Sequence, residues 1–186
     1  MSKLGIVIGS TRPGRVGLPI AQWFVERAKL HGKFEIQLID LKELDLPLLD
    51  EPKHPRLGDY QHEHTRAWSK IVKALDAFVF VTPEYNFSAP PALLNALDFL
   101  FHEWAYKPAA FVSYGGQSGG IRSVQMLKQT LIAMKVVGIT ESVTIPFFTQ
   151  HLNGDIFTGT ESHEKAASTM LDELLRWAGA LATLRQ

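Results

Sequence analysis

The sequence predicts an α/β protein built on a doubly wound parallel sheet, and two observations support this prediction. Short apolar runs alternate with segments of helical periodicity five times along the 186 residues. Two of the runs are almost continuously apolar, as expected for strands that are buried on both faces of a sheet. Such alternation is typical of parallel strands that are joined by crossover helices on both faces.

The apolar runs predict five strands and leave two sheet arrangements open, flavodoxin-like and Rossmann-like. The runs are LGIVI (4–8), FEIQLI (34–39), AFVFV (77–81), AAFVS (109–113) and SVTI (142–145). No internal repeat or linker separates them, so we expect a single domain over residues 1–186. The one irregular stretch, residues 46–60, contains several prolines and is expected to lie on the surface.

Helical periodicity predicts five helices between and after these strands. The first has an apolar face of Val16, Ile20 and Phe24, and we expect it to end near Gly32, because glycine readily adopts the left-handed conformation that follows many helices. The apolar positions of the others are Trp68, Ile71, Val72 and Leu75; Leu93, Leu94, Leu97 and Phe101, after Pro90-Pro91; Val124, Leu127, Leu131 and Met134; and Met170, Leu171, Leu174, Leu175, Ala178 and Leu181.

Composition excludes several classes of partner and site. Nineteen basic and nineteen acidic residues cancel, so we expect neither nucleic acid nor a membrane as a partner. The absence of cysteine excludes disulfides, thiolate metal sites and cysteine nucleophiles. No apolar stretch reaches the roughly 18 residues of a membrane span, and the first apolar run is too short for a signal peptide. We therefore expect a cytoplasmic protein.

The first loop, GSTRPGRVG (9–17), has the features of a phosphate site. In a doubly wound sheet, ligands bind beyond the carboxyl ends of the strands, and this loop leads from a strand into a helix N-terminus, which favours anions. Ser10, Arg12 and Arg15 add donors and positive charge. Because Val16 stands where a triphosphate loop needs a magnesium-binding hydroxyl, a monophosphate fits better. A plain turn with two solvated arginines is the alternative.

Two further loops end at the same predicted edge of the sheet. The second loop, TPEYNFSAPP (82–91), offers the flat ring of Tyr85 and the amide of Asn86. The third loop, SYGGQSGG (113–120), has four glycines in eight residues, so its backbone can approach a ligand closely. Ordinary turn chemistry explains either loop alone. Three such loops at one edge indicate a binding site.

The stretches GSTRPGRVG, VTPEYNFSAPPALLNALDF and VSYGGQSGGIRSVQMLKQTL, at these intervals, resemble the NAD(P)H-dependent FMN reductase family. The resemblance covers residues 3 to 145 or so, and the family includes flavin, quinone, azo-dye and chromate reductases. It implies a flavodoxin-like, five-stranded parallel sheet in the order 2-1-3-4-5, with helices on both faces. It also implies that FMN passes hydride from NADPH or NADH to a quinone, an azo compound, free flavin or a similar flat acceptor.

The resemblance also implies which residues hold the cofactor, and it implies no catalytic side chain. The FMN phosphate would be held by Ser10, Arg12, Arg15, Val16 and Gly17. The isoalloxazine ring would be lined by Pro83, Glu84, Tyr85 and Asn86, and its pyrimidine side approached by Ser113, Gly115 and Gly116, with Ser118 and Gly119 nearby. Backbone N–H groups of Gly115 and Gly116 would stabilise the negative charge of the reduced ring.

Other functions are compatible with part of this pattern. A flavodoxin-type electron carrier also binds FMN but does not use NAD(P)H, and such carriers are usually strongly acidic, whereas this chain is neutral. A nucleotide-binding regulatory module is a third possibility. No serine lies in a G-x-S-x-G motif, so no hydrolase is predicted. His62 and His64 are expected to point about 200° apart on a helix, so no metal site is predicted.

Two further questions concern assembly and the nicotinamide. Aromatic residues near the segment ends suit core packing or a dimer face, namely Phe99, Phe101, Trp104, Tyr106, Phe147 and Phe148. Since relatives are commonly dimeric or tetrameric, the resemblance implies a homodimer or homotetramer. The choice between NADPH and NADH stays open, with Arg56, Arg66, Lys107 and Arg122 as candidate partners for a 2′-phosphate.

Overall fold

The structure, a computed structural model that describes residues 1–185, contains one five-stranded parallel sheet in the order β2-β1-β3-β4-β5. Its strands are β1 (Ser2–Ile8), β2 (Phe34–Asp40), β3 (Ala77–Pro83), β4 (Pro108–Tyr114) and β5 (Val137–Ile145). The predicted flavodoxin-like order is confirmed. The Rossmann-like alternative fails because β1 pairs directly with β3. Strand order reverses there, which places a crevice beyond the carboxyl ends of β1 and β3.

The predicted helices are confirmed on both sides of the sheet, and smaller elements join them. The helices are α1 (Gly17–His31), α2 (Leu41–Leu44), α3 (Glu63–Lys73), α4 (Pro91–Asp98), α5 (Ile121–Ala133) and α6 (Glu161–Ala182). A hairpin of β6 (Leu152–Asn153) and β7 (Ile156–Phe157) precedes α6. The sequence did not predict α2 or the hairpin, because elements this short show no periodicity.

The apolar residues separate into two cores, one on each face of the sheet. Helices α1 and α6 cover one face, where Phe24 and Leu174 are fully buried. Helices α3, α4 and α5 cover the other face, where Trp68 and Leu127 are buried. Strand β3 sends alternate side chains into the two cores, which explains its continuously apolar sequence.

Three sequence expectations are refined by the structure. Helix α1 ends as predicted, with Gly32 in the left-handed conformation at φ 72°. Strand β5 begins at Val137, five residues before the predicted start at Ser142, and its pairing with β4 shifts register between Ala109 and Phe111. The third predicted helix is shorter than expected, since α4 ends at Asp98.

The aromatic residues divide between the core and the surface. Phe99 and Trp104 are buried, and the Trp104 ring packs edge-on against Phe78 with centroids 4.9 Å apart. They therefore serve the core and not a dimer face. Phe147 is 49% exposed. Among the helices of residues 1–185, none has the length and apolar character needed to cross a membrane.

Candidate functional site

The three loops singled out from the sequence meet at the carboxyl edge of the sheet. The N–H of Gly9 donates to the carbonyl oxygen of Val81, 2.9 Å away, which joins the first loop to β3. Ser10 Oγ lies 3.2 Å from Tyr114 Oη in the third loop, and Ser118 Oγ donates to Glu84 in the second loop. The structure therefore brings the three predicted loops together in one site.

Ser10, Gly17 and Tyr114 form the floor of the first loop. Ser10 is fully buried and Tyr114 is 3% exposed. A Cβ atom on Gly17 would lie 2.6 Å from Ser10 Oγ and 2.8 Å from Tyr114 Oη, so only glycine lets helix α1 start this close to them. Burial raises the pKa of Tyr114, so its hydroxyl stays protonated at neutral pH. Tyr114 is a site residue that sequence reasoning did not select.

The N-terminus of α1 is open to an anion. Val16 precedes the helix and no side chain caps it, so the N–H groups of Gly17 and Leu18 are available, while Pro19 has none. Arg12 is exposed, and its guanidinium forms no ion pair with any carboxylate of residues 1–185. A free arginine beside an uncapped helix N-terminus is well suited to a phosphate.

Arg15 contacts the protein instead of standing free. Its Nη1 donates to the carbonyl oxygen of Ser10 at 2.6 Å and to Asp40 Oδ1 at 2.5 Å, and its Nη2 donates to Asp40 Oδ2. Burial alone would raise the pKa of Asp40, but the hydrogen bonds from Arg15 and from the N–H of Lys42, together with the charges of both residues, lower it. Direct contact of Arg15 with a phosphate stays a prediction. Such a contact could use only the N–H groups that Arg15 does not already donate to Ser10 and Asp40. Asp40 was missed, although an acid that ends a strand at this edge is a usable sign.

The second loop contains a tight turn with unusual backbone angles. Tyr85 and Ser88 exchange two hydrogen bonds of 2.9 Å, with Asn86 (φ 50°) and Phe87 (φ 69°) between them. Asparagine tolerates this left-handed region, but a bulky residue there is uncommon. The turn leaves Phe87 62% exposed. Pro83 is buried at the end of β3, and Tyr85 is half-buried.

The third loop carries an unpartnered polar group and an exposed glycine. Ser113 Oγ is fully buried and has no hydrogen-bond partner within residues 1–185. The N–H of Gly115 already donates to the carbonyl oxygen of Ile145, at 3.2 Å. Gly116 is exposed, and a Cβ there would meet nothing within 4 Å. Gly116 is therefore the glycine of the predicted pair whose main-chain N–H has no partner within residues 1–185 and stands open to a ligand.

Glu84 and Ser118, both predicted to lie beside the ring, are bonded to each other. Ser118 Oγ donates to Glu84 at 2.9 Å, and the same carboxylate accepts a hydrogen bond from Nε of Arg122 at 2.6 Å. Burial would raise the pKa of Glu84, but the hydrogen bonds from Arg122 and Ser118 hold it below its ordinary value. Whether Glu84 also touches the ring stays a prediction. Arg122 lies two residues beyond the third loop; the sequence suggested it only as a partner for a 2′-phosphate, whereas the structure shows it bonded to Glu84.

These residues fit a flavin mononucleotide. Its phosphate end needs an anion site, which the uncapped α1 and Arg12 provide. Its ring has a polar pyrimidine edge, which matches the buried, unpartnered Ser113 Oγ and the open backbone of Gly116. Tyr85 supplies a flat side chain between these two ends of the site.

One of the four candidate cations for a 2′-phosphate lies beside the loops of the site. Lys107 is buried at the opposite edge of the sheet, where its Nζ donates to the carbonyl oxygen of Val72. Arg56 lies 4.6 Å above the ring of Phe101, and Arg66 binds Glu63. Only Arg122 adjoins the second and third loops. A cavity of about 640 Å³, lined in part by Thr11, Lys42, Glu43 and Asn95, lies beside the first loop.

The expectation for the histidine pair was wrong in its geometry. His62 precedes α3 in an extended conformation, so the rings of His62 and His64 stack 5.2 Å apart instead of pointing to opposite sides. His64 Nε2 lies 2.9 Å from Asp50 Oδ1. Within residues 1–185, no cluster of three or more potential ligands could hold a metal ion.

The fold and the site define a flavodoxin-like protein with a place for a phosphate-bearing, flat aromatic cofactor. A family model described as NADPH-dependent FMN reductase matches residues 2–150, and the chain belongs to this family. The resemblance found in the sequence is thereby confirmed.

Relatives and a solved structure agree with this assignment. The chain is 40% identical to an NAD(P)H-dependent FMN reductase of Schizosaccharomyces pombe over 147 residues, which are 77% of this chain and 74% of that protein. It is 38% identical to an NAD(P)H-dependent FMN reductase of Saccharomyces cerevisiae over 182 residues, 91% of this chain and 94% of that protein. The flavoenzyme NAD(P)H:(acceptor) oxidoreductase FerB of Paracoccus denitrificans superimposes with a TM-score of 0.76 at 22% identity, covering 97% and 98% of the chains, which supports the fold.

Proposed function

We propose that the protein is an FMN-dependent oxidoreductase that carries hydride from NADPH or NADH to a quinone, an azo compound, free flavin or a similar flat acceptor. The observation that carries this proposal is the free Arg12 at the uncapped N-terminus of α1, at the point where strand order reverses. Family membership and relatives named as FMN reductases support it.

Bound FMN supplies the hydride chemistry, and the chain supplies binding, orientation and electrostatics. Arg12 and the N–H groups of Gly17 and Leu18 in the first turn of α1 would hold the phosphate, and Ser10 would add a hydroxyl. Tyr85 and Pro83 would border the ring, while Ser113 Oγ and the N–H of Gly116 would bind its polar edge. A fixed donor at that edge stabilises negative charge without reorganising, so it favours reduction of the ring.

The test is to load purified protein with FMN and to measure flavin retention together with oxidation of NADPH and NADH. We expect a yellow protein that oxidises one or both nicotinamides when a quinone, an azo dye or free FMN is present. A protein that retains no FMN would refute the proposal. A protein that retains FMN but does not oxidise either nicotinamide would favour the electron-carrier alternative, for which the comparisons give no support.

We further propose that the protein assembles as a homodimer or homotetramer and works in the cytoplasm, where NAD(P)H is available. Support for assembly comes from exposed leucines of the irregular stretch, Leu48 at 82% and Leu57 at 68% exposed. Light scattering after size-exclusion chromatography should show an oligomer. The double variant Leu48→Asp/Leu57→Asp should shift the oligomer toward monomer if this face is the interface. Cell fractionation tests the proposed cytoplasmic location.

A further inference from the structure

We propose that Glu84 is a positioning residue, which holds the third loop in place through Ser118 and Arg122 so that its backbone donors meet the polar edge of the flavin. This inference rests on the proposed function, because it takes FMN to be the group beside that loop. It differs from a contact between Glu84 and the ring, because Glu84 would act through its two partners.

The carboxylate of Glu84 is almost fully used by protein donors. Its Oε2 accepts from Ser118 Oγ at 2.9 Å and from the main-chain N–H of Arg122 at 3.2 Å. Its Oε1 accepts from Arg122 Nε at 2.6 Å, and Nη2 of the same guanidinium lies 2.5 Å from Oε1 as an ion pair. The Glu84 side chain is only 8% exposed. A carboxylate that has lost most of its water must be paired, so these bonds hold the second and third loops together.

Glu84 also acts as the missing cap of helix α5. Gly120 precedes this helix and offers no side chain, and no local side chain caps the first turn. The N–H of Arg122, the second helical residue, donates instead to Glu84. A negative charge at this position is favourable because the helix N-terminus is partially positive. Ser118 extends the connection, since its Oγ also accepts from the N–H of Gly120 at 3.3 Å.

The opposite side of the third loop is held by backbone alone. The N–H of Phe147 donates to the carbonyl oxygen of Gly116 at 2.9 Å, and that of Phe148 donates to Gly115 at 3.3 Å. Glu84 is therefore the side-chain anchor of the glycine-rich part of this loop, residues 115–120, whereas Ser10 contacts Tyr114 at its start. If that anchor is lost, the N–H of Gly116 should lose its fixed direction. A fixed donor matters most when negative charge develops on the ring, so reduced FMN should suffer more than oxidised FMN.

Arg122 balances the charge of Glu84, and this balance makes a clean test possible. Its guanidinium stacks on Phe87, with Cζ 4.0 Å from the ring centre. Replacing both members of the pair by alanine removes one negative and one positive charge. The double variant therefore leaves net charge unchanged while it removes the connection between the loops, together with the cap of α5 and the stacking on Phe87.

The experiment compares FMN-loaded wild type with Glu84→Ala/Arg122→Ala, and measures both the dissociation constant of oxidised FMN and the midpoint potential of the bound flavin. We expect affinity for oxidised FMN to stay within about threefold, because the first loop holds the phosphate. Affinity for reduced FMN should fall about tenfold, which lowers the two-electron midpoint potential by about 30 mV. Ser118→Ala should shift the potential in the same direction by less.

The matched control is Glu173→Ala/Arg176→Ala, which removes another 2.5 Å ion pair, on α6 and outside the site. Its potential should equal that of wild type. If the Glu84 double variant does not fold, judged by circular dichroism, Ser118→Ala alone decides. An unchanged potential in FMN-loaded variants would overturn this inference and leave the proposed function intact. Failure of wild type to bind FMN would overturn both.

Discussion

Arg15 and Asp40 form a two-point ion pair between the end of β2 and the first loop, and the same guanidinium holds the carbonyl oxygen of Ser10. Their side chains are only 9% and 15% exposed. The pair therefore shapes the first loop before any phosphate arrives. A loop that is already ordered loses less conformational entropy on binding, so the pair should favour FMN affinity without touching the cofactor.

Replacing Asp40 by asparagine should destabilise the fold and weaken FMN binding. Arg15 would keep its buried position without a full counter-charge, and we expect a loss of about 2 kcal/mol in the free energy of unfolding. Urea denaturation measures it. Asp172→Asn is the control, since Asp172 pairs with Lys33 and His31 on the surface and its loss should be much smaller. Equal losses in the two variants would contradict the prediction.

The same pair should make stability depend on pH in acid. The pKa of Asp40 is lowered in the folded state, so its contribution is fully present above the ordinary unfolded value of about 3.9 and is lost as the pH falls below it. The difference in unfolding free energy between wild type and Asp40→Asn should thus be constant near neutrality and shrink below about pH 4. A difference that stays constant down to pH 3 would rule this out.

Arg12→Ala should weaken FMN binding and leave the fold intact. Charge-assisted hydrogen bonds to a phosphate contribute about 1.5–3 kcal/mol, so we expect at least a tenfold loss of affinity. The free energy of unfolding should change by less than about 0.5 kcal/mol, because Arg12 is exposed. Titration with FMN tests the affinity and urea denaturation tests the stability, with Arg176→Ala as the control for both. Unchanged affinity would mean that the first loop does not hold the phosphate.

Gly17→Ala should damage the same loop by overcrowding it. The added Cβ would lie 2.6 Å from Ser10 Oγ and 2.8 Å from Tyr114 Oη, so one of these side chains must move. We expect about 1–3 kcal/mol of destabilisation, measured by urea denaturation, and weaker FMN retention. Gly179→Ala in α6 is the matched control, because nothing lies within 4 Å of its added Cβ. That variant should gain about 0.5–1 kcal/mol.

Lys107 should make stability depend on pH in alkali. It is 5% exposed, and its Nζ donates to the carbonyl oxygen of Val72 at the C-terminus of α3. Burial lowers the pKa of Lys107 to about 8, because the charged form is costly inside the fold. This cost to stability is absent above the unfolded pKa of about 10.4 and is fully present once the pH has fallen below 8. The unfolding free energy of wild type should therefore rise between pH 8 and 10 relative to Lys107→Met. The difference in unfolding free energy between wild type and Lys73→Met, a variant at an exposed lysine, should not rise over this pH range.

Features that depend on neighbouring residues could be predicted from the sequence. The buried strand β3 was identified because its apolar run is continuous, and α1 was given its end because Gly32 suits a left-handed position. The first loop was recognised because hydroxyl and arginine residues follow a strand directly. The residue types and spacings of the three loops also carried the resemblance to the FMN reductase family, which the family model confirms.

Features that depend on contacts between distant residues required the tertiary structure. Asp40 lies 25 positions from Arg15, and Glu84 lies 38 positions from the helix residue that it caps. No local pattern marks such pairs, because they form only when parallel strands bring their carboxyl ends together. The sequence by itself determined the parallel sheet, the edge of the sheet at which the site lies, and the family. The tertiary structure decided which charged groups are used within the protein and which, like Arg12, are left for a ligand, because burial and pairing are properties of the folded chain.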